Sequence, residues 1–272
     1  MYESHWDLQE KPFEAGADPR FYFPSQSHQA ALLKLRYAVE SRRGATLLAG
    51  PCGVGKTLVV ALLRQVLGPD FTPFVHLVFP QLSGPDLLCY LAMEMTGAEP
   101  EPPAMLPATI RRLERFLGEN AQQNRHAVVV VDEAQLLDDP SVLETLRLLL
   151  NFETAGRPGL TLLLCGQTGL LPLLERVPHL EERFGVKCLL RAFSPQETAE
   201  YVRHRLEVAG AKRAIFEPPA LVALDQLTQG IPRRINRLVD LALLIGYAEG
   251  LRTITAAHLE TVHEELVTVS VD

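Results

Sequence analysis

Over its first 190 residues the chain alternates two kinds of hydrophobic pattern. Short runs that are apolar almost throughout lie at Ala45–Ala49, Phe74–Phe79, His126–Val131, Leu160–Cys165 and Val186–Leu190. They have the length and continuity of strands buried on both faces. Between them, apolar residues recur at helical spacing over Leu58–Leu67, which is stopped by Gly68-Pro69, and over Asp86–Thr96, which is stopped by Gly97. Ala108–Gln123 and Ser141–Phe152 read the same way, with the leucines of the second on one face. A further helix is expected to follow Ser27, a capping residue, with Ala30, Leu33, Leu35 and Val39 as its apolar positions. Strands alternating with helices, each strand apolar throughout, predict a parallel sheet covered on both faces.

The two ends of the chain read differently. Residues 1–25, rich in proline and aromatic residues, predict an irregular lead-in, and Glu99–Pro107 predicts a proline-rich connection. After Phe193 the alternation stops. Ser194-Pro195-Gln196-Glu197 is a helix start, with a serine cap, proline in the first turn and an acid at the third helical position. Helices alone follow, near 195–208, 218–229, 232–248 and 255–266. This shift predicts an α/β domain over 1–192, lead-in included, and a helical domain over 193–272.

The first strand runs into Gly50-Pro51-Cys52-Gly53-Val54-Gly55-Lys56-Thr57, which fills the pattern GxxxxGK[ST], and Leu58 continues as a helix. Glycines let the backbone curl so that successive N–H groups point inward as an anion nest, and the helix adds its positive N-terminal end. Gly50 through Leu58 are therefore the expected nucleotide-binding residues. Lys56 reaches the β- and γ-phosphates of ATP, and the Thr57 hydroxyl ligates Mg2+.

The valine run ends in Asp132-Glu133. A carboxylate there lies at the carboxyl edge of the sheet, where open α/β proteins bind ligands. Asp132 is expected in the Mg2+ shell, directly or through water, and Glu133 is expected to position and polarise the attacking water. The adjacent glutamate separates a hydrolase from a P-loop protein that hands phosphate to another substrate. The plainer alternative has both acids capping a turn. Gln167, at the end of Leu162–Gln167, is read as a hydrogen-bonding partner of the water or the γ-phosphate, with a turn cap as its alternative. Arg183 is a candidate arginine finger acting on a neighbouring subunit, Arg176 competes with it, and surface ion pairs with Glu181 and Glu182 are the bland reading. Arg233, in Gly230-Ile-Pro-Arg-Arg-Ile-Asn236, projects from the first turn of a helix and can couple the γ-phosphate to domain closure, against a solvated arginine pair as the alternative.

Composition narrows the function classes. Apolar residues make up 47% and charged residues 22% of the 272 residues, so a sizeable core is available without disulfides. Net charge is −7 and the pI about 5.7. A protein held mainly by nucleic-acid phosphates usually carries a basic field. DNA is thus the less expected partner, although Arg233, Arg234 and Arg237 with Lys212 and Arg213 leave a local basic face open. Cys52, Cys89, Cys165 and Cys188 share no CxxC spacing, and three of the four sit in or beside apolar runs as small hydrophobes. His258 and His263 stand five apart, the wrong spacing for a metal pair on one helical face. There is no signal-peptide pattern, and no apolar run approaches the roughly 18–20 residues that span a bilayer. A cytoplasmic protein is expected, attached to a membrane only through a partner.

Taken in order, Lys11-Pro12-Phe13, Asp18-Pro-Arg-Phe21, Ser25 to His28, Arg42-Arg-Gly44, the phosphate loop, Asp132-Glu-Ala-Gln135, Gly166-Gln167 and Gly230–Asn236 resemble the ExeA/GspA group of bacterial general-secretion AAA+ ATPases. The resemblance covers nearly the whole chain. It implies a five-stranded sheet of the ASCE type, a helical lid and action as a homo-oligomer, ring or dimer. It supports Gln167 as sensor 1, Arg233 as sensor 2 and Arg183 as a finger, and it places Pro12 and Phe13 near the adenine. Members working in secretion commonly continue into a membrane span and a periplasmic peptidoglycan-binding part, and these 272 residues carry neither pattern. The same motifs occur in TniB- and TnsC-like transposition ATPases. Three functions stay open: an ATPase that assembles a secretion or envelope machine through protein contacts, a DNA-associated ATPase regulating transposition, and a slow nucleotide-switched scaffold.

Overall fold

A computed structural model describes residues 1–14, 16, 18–98, 106–154 and 156–268, so most of the expected proline-rich connection, 99–105, lies outside the described residues. β1 (Ala45–Ala49), β2 (Phe74–Leu77), β3 (Ala127–Val131), β4 (Leu160–Gly166) and β5 (Phe184–Leu189) form the expected five-stranded parallel sheet, in the order β2-β3-β4-β1-β5. The three inner strands are buried at every residue, because each has a strand on both sides and is covered on both faces. The two edge strands are buried only in part.

The register decides where chemistry can gather. Val131 pairs with Leu164 across β3 and β4, and Ala49 pairs with Gly166 across β1 and β4. The carboxyl ends of β1, β3 and β4 therefore lie side by side at one edge. On one sheet face Leu47, Val129, Val131, Leu162 and Leu164, alternate residues of their strands, pack in one core cluster with Leu87, Leu91, Leu113, Leu117, Leu143 and Leu146. The last six come from α3 (Gly84–Thr96), α4 (Leu106–Gln122) and α5 (Pro140–Leu149). Ser83 caps α3, and left-handed Gly97 ends it.

Some details depart from the sequence reading. α1 (Gln26–Glu40) starts one residue before Ser27, so Ser27 is inside the helix and is not its cap; the Gln26 N–H is satisfied instead by Glu197 Oε1 at 3.2 Å. A small hairpin at Glu153–Thr154 and Arg157–Pro158, and two short helices, α6 (Leu170–Glu175) and α7 (Pro178–Glu181), were not expected.

The chain groups into two compact units. The sheet unit comprises 27–52 and 56–190; the helical unit comprises 1–26, 53–55 and 191–272. The lead-in, read with the α/β domain from sequence, thus groups with the helices. The helical unit holds α8 (Pro195–Val208), α9 (Pro218–Thr228), α10 (Pro232–Ala248) and α11 (Ala256–Thr268), and Ser194 with Glu197 forms a reciprocal capping box on α8. Tyr2, Trp6, Leu8, Phe13 and Phe21 of the lead-in share its core cluster. Trp6 is fully buried, and its indole N–H donates to Leu243 O at 2.9 Å. Gly246 makes room for that ring: a Cβ there would lie 2.8 Å from Trp6 Cζ2. Gly246→Ala is expected to lower stability by about 1–3 kcal/mol through overpacking, read as a lower Tm; an unchanged Tm would show that the ring has room to move. No helix among the described residues is long and apolar enough to cross a membrane.

Candidate nucleotide-binding site

The phosphate loop follows β1 and leads into α2 (Lys56–Val66). Gly53 and Gly55 have φ of 81° and 96°, the left-handed conformation that a side chain disfavours. The Gly50 N–H donates to Gly166 O at 3.2 Å, so the loop leaves the sheet tied to the end of β4. Lys56 is 6% exposed, and its Nζ donates to Gly50 O and Pro51 O, both at 3.0 Å. An ammonium is thereby held over the start of the loop by neutral acceptors.

Beside it, one strand removed, the end of β3 carries the two acids. Thr57 Oγ1 donates to Asp132 Oδ2 at 3.0 Å, and His76 Nε2 lies 3.4 Å from the same oxygen. The other oxygen, Oδ1, accepts the Glu133 N–H at 2.9 Å. Burial pushes the Asp132 carboxyl up, but donors at His76, the Glu133 N–H, Thr57 and Cys165 outweigh it and hold it down at about 2. Asp132 is therefore an anion at neutral pH. The buried Cys165 thiol next to it is pushed up by the same burial and by the Asp132 charge.

Glu133 is the turning point of the chain, with left-handed backbone at φ 49°, ψ 35°. Its Oε2 accepts from Gln135 Nε2 at 2.5 Å, and Gln135 Oε1 accepts the Gln167 N–H at 2.8 Å. The structure thus brings the phosphate loop, Lys56, Thr57, Asp132, Glu133 and Gln167 to the ends of three neighbouring strands.

Residues 39–174 match the family described as the AAA domain. The chain belongs to this family. It is 37% identical over 252 residues to General secretion pathway protein A of Aeromonas hydrophila, a match covering 92% of this chain and 46% of that protein. The chain thus spans about half the length of the curated relative it matches. Among solved structures, the ADPNP-ADP complexes of the Aeropyrum pernix ORC2 protein match with a TM-score of 0.69 at 18% identity, over 94% of this chain and 72% of that one. Drosophila ORC bound to DNA gives 0.71 at 17%, over 98% and 66%. Cdc6p of Pyrobaculum aerophilum gives 0.69 at 17%, over 88% and 67%. At such identities the likeness shows the fold. The family resemblance and the fold class read from the motifs both hold, and an AAA ATPase domain implies nucleotide binding.

The donors at the β3 edge of this AAA domain fit Mg2+. Thr57 and Asp132 present hard oxygens next to each other, the donor type that ion prefers. Among the described residues no group of three or more His, Cys, Asp or Glu could hold a metal by itself.

The other expected residues fall elsewhere. Arg183 is exposed at the start of β5, and its Nη2 donates to Asn151 Oδ1 at 3.0 Å; Arg176 is exposed as well. In the helical unit, which includes Gly53–Gly55, the Arg233 N–H donates to Gly53 O at 3.2 Å, and a Cβ on Gly53 would meet Arg233 Cβ at 2.8 Å. Pro12 and Phe13 are buried in the same unit, and the Arg205 guanidinium lies 5.5 Å from the Phe13 ring centroid. Of the cysteines, Cys165 and Cys188 are buried, Cys89 is half-buried and Cys52 is exposed.

Two residues around the acids had no assigned role in the sequence reading, His76 and Gln135. Gln135 stands inside the Asp132–Gln135 motif, so the signal was present without a mechanism. His76 looks like one polar residue in an edge strand; only the β2–β3 pairing brings it to Asp132.

Proposed function

We propose that this AAA domain binds Mg-ATP at Gly50–Leu58 and hydrolyses it, working as a homo-oligomer on a protein partner in a bacterial secretion or envelope machine. The observation that carries the ATPase half is the Thr57–Asp132 hydrogen bond beside Glu133, at the strand edge where the phosphate loop begins. Lys56 would hold the β- and γ-phosphates, and Thr57 and Asp132 would hold Mg2+. When bound, the ion supplies charge neutralisation on the phosphates. Glu133 orients and polarises the attacking water, and Gln167 senses the γ-phosphate. Arg233, whose N–H already meets Gly53 O, fits the sensor 2 role. Pro12 and Phe13 are assigned to the adenine on the family resemblance alone.

The secretion half rests on the likeness to General secretion pathway protein A. On this reading the domain itself works in the cytoplasm. Oligomeric action rests on the family resemblance, and Arg183, exposed and hydrogen-bonded to Asn151, is the finger candidate it supports.

The test is steady-state ATP hydrolysis at several protein concentrations, with and without double-stranded DNA, at low and physiological salt, with Glu133→Gln as the blank. Turnover per subunit is expected to rise with protein concentration and to ignore DNA. Arg183→Ala should remove the concentration-dependent part, and mixing with Lys56→Ala subunits, which keep Arg183, should restore some of it. Strong, salt-sensitive stimulation by DNA would overturn the protein-partner reading in favour of a transposition-type ATPase.

A further inference from the structure

Gln135 uses both ends of its side-chain amide. It sits in a short 3-10 turn, Ala134–Leu136, directly after Glu133. Its Nε2 donates to the Glu133 carboxylate, and its Oε1 accepts the backbone N–H of Gln167, the first residue beyond β4. The amide therefore joins the ends of two adjacent strands through the very group read as polarising water. The fit is close: a Cβ on Gly166 would lie 2.7 Å from Gln135 Oε1 and 3.2 Å from Gln135 N. Glycine at 166 is what lets the amide approach β4.

Glu133 needs such a restraint. Its backbone is in the left-handed region, which non-glycine residues rarely adopt, and its side chain has three rotatable bonds. A general base works only within hydrogen-bond reach of the proton it takes. An amide N–H donates to the carboxylate without bringing a second charge to the site.

We propose that Gln135 is a positioning residue for hydrolysis, clamping the Glu133 carboxylate to the end of β4 so that it faces the attacking water. This rests on the reading of Glu133 given above. Because Oε1 is shared with the Gln167 N–H, the clamp also links Glu133 to the backbone of the γ-phosphate sensor.

The test uses two variants of the full chain. Gln135→Leu removes both hydrogen bonds. Gln135→Glu keeps volume and the acceptor for Gln167 N–H but loses the donor to Glu133. Hydrogen exchange at the Gln167 amide, measured on protein without nucleotide, is expected to stay slow in Gln135→Glu and to speed up in Gln135→Leu. In both, the Kd for a fluorescent ATP analogue with Mg2+ should stay near wild type. kcat should fall about ten- to a hundredfold, the usual loss when a group that orients another is removed. In a Glu133→Gln background, Gln135→Leu should add little, as expected of residues acting as one unit. Unchanged or raised kcat in both variants would overturn the clamp, and so would a Kd weakened in step with kcat, which marks a structural role. Wild-type turnover no higher than that of Glu133→Gln would instead remove the reading of Glu133 itself, and the clamp with it.

Discussion

Glu133→Gln is expected to bind Mg-ATP with near wild-type affinity and to turn it over at least a hundredfold more slowly. Proton transfer by a positioned side chain contributes about 10²–10⁴ in rate, and an amide cannot take the proton. The substitution is otherwise mild here. Glu133 meets its surroundings through its own N–H on Asp132 Oδ1 and through Oε2, which accepts from Gln135. A glutamine oxygen can accept that same bond, so the loop keeps its shape while the base is lost. Asp132, held ionised by its four donors, stays on the other side of the turn. Turnover is read by phosphate release and binding by titration of a fluorescent ATP analogue. A rate close to wild type would mean that the water is activated by another group.

How much of this was legible depends on whether a feature is local. The phosphate loop needs glycines, a lysine and a threonine at fixed spacing, and Asp132 needs only to end a buried strand, so both could be read from consecutive residues. The sheet was legible because its inner strands are buried on both faces, which forces continuous apolar runs. What escaped depends on partners far away in the chain. Glu197 accepts the Gln26 N–H at the start of α1 from 171 positions away. Trp6 finds its hydrogen bond at Leu243, and nothing in residues 1–25 reveals that they pack with helices far downstream. Helices of four and six residues, and a hairpin with two residues per strand, are shorter than the run of residues over which a periodic signal can be read.

Adjacent acids illustrate the same division inside the site. By sequence Asp132 and Glu133 are neighbours, read as metal ligand and as the residue that polarises the water. In the structure they stand in different surroundings, because the left-handed backbone at Glu133 redirects the chain between them. Asp132 is buried, 4% exposed, and engaged at both oxygens by donors that favour its charge. Such a carboxylate is a good ligand and a poor base. Glu133 is half-buried and has one amide donor at one oxygen. That arrangement leaves lone pairs for a water.

Lys56→Ala is expected to abolish useful nucleotide binding, weakening the Kd by more than a hundredfold. A hydrogen bond to a charged group contributes about 1.5–3 kcal/mol, and one ammonium can make more than one to the phosphates, so a loss near 3 kcal/mol is expected. The present position of Lys56 makes this specific. Its stem is buried, and its Nζ rests on two neutral carbonyls of the loop. Phosphate oxygens are stronger acceptors than carbonyls, so the ammonium can exchange one set for the other without leaving its place. Lys56→Arg should fail as well, because a planar guanidinium presents its donors in a fixed fork that does not match a point charge in this loop. Ligand-induced stabilisation gives the decisive comparison. At a hundred times its Kd, a ligand stabilises the folded state by about 2.7 kcal/mol. Mg-ATP should therefore raise the Tm of wild type and of Glu133→Gln by several degrees and leave that of Lys56→Ala where it was. An equal rise in Lys56→Ala would show that the nucleotide binds somewhere other than Gly50–Leu58.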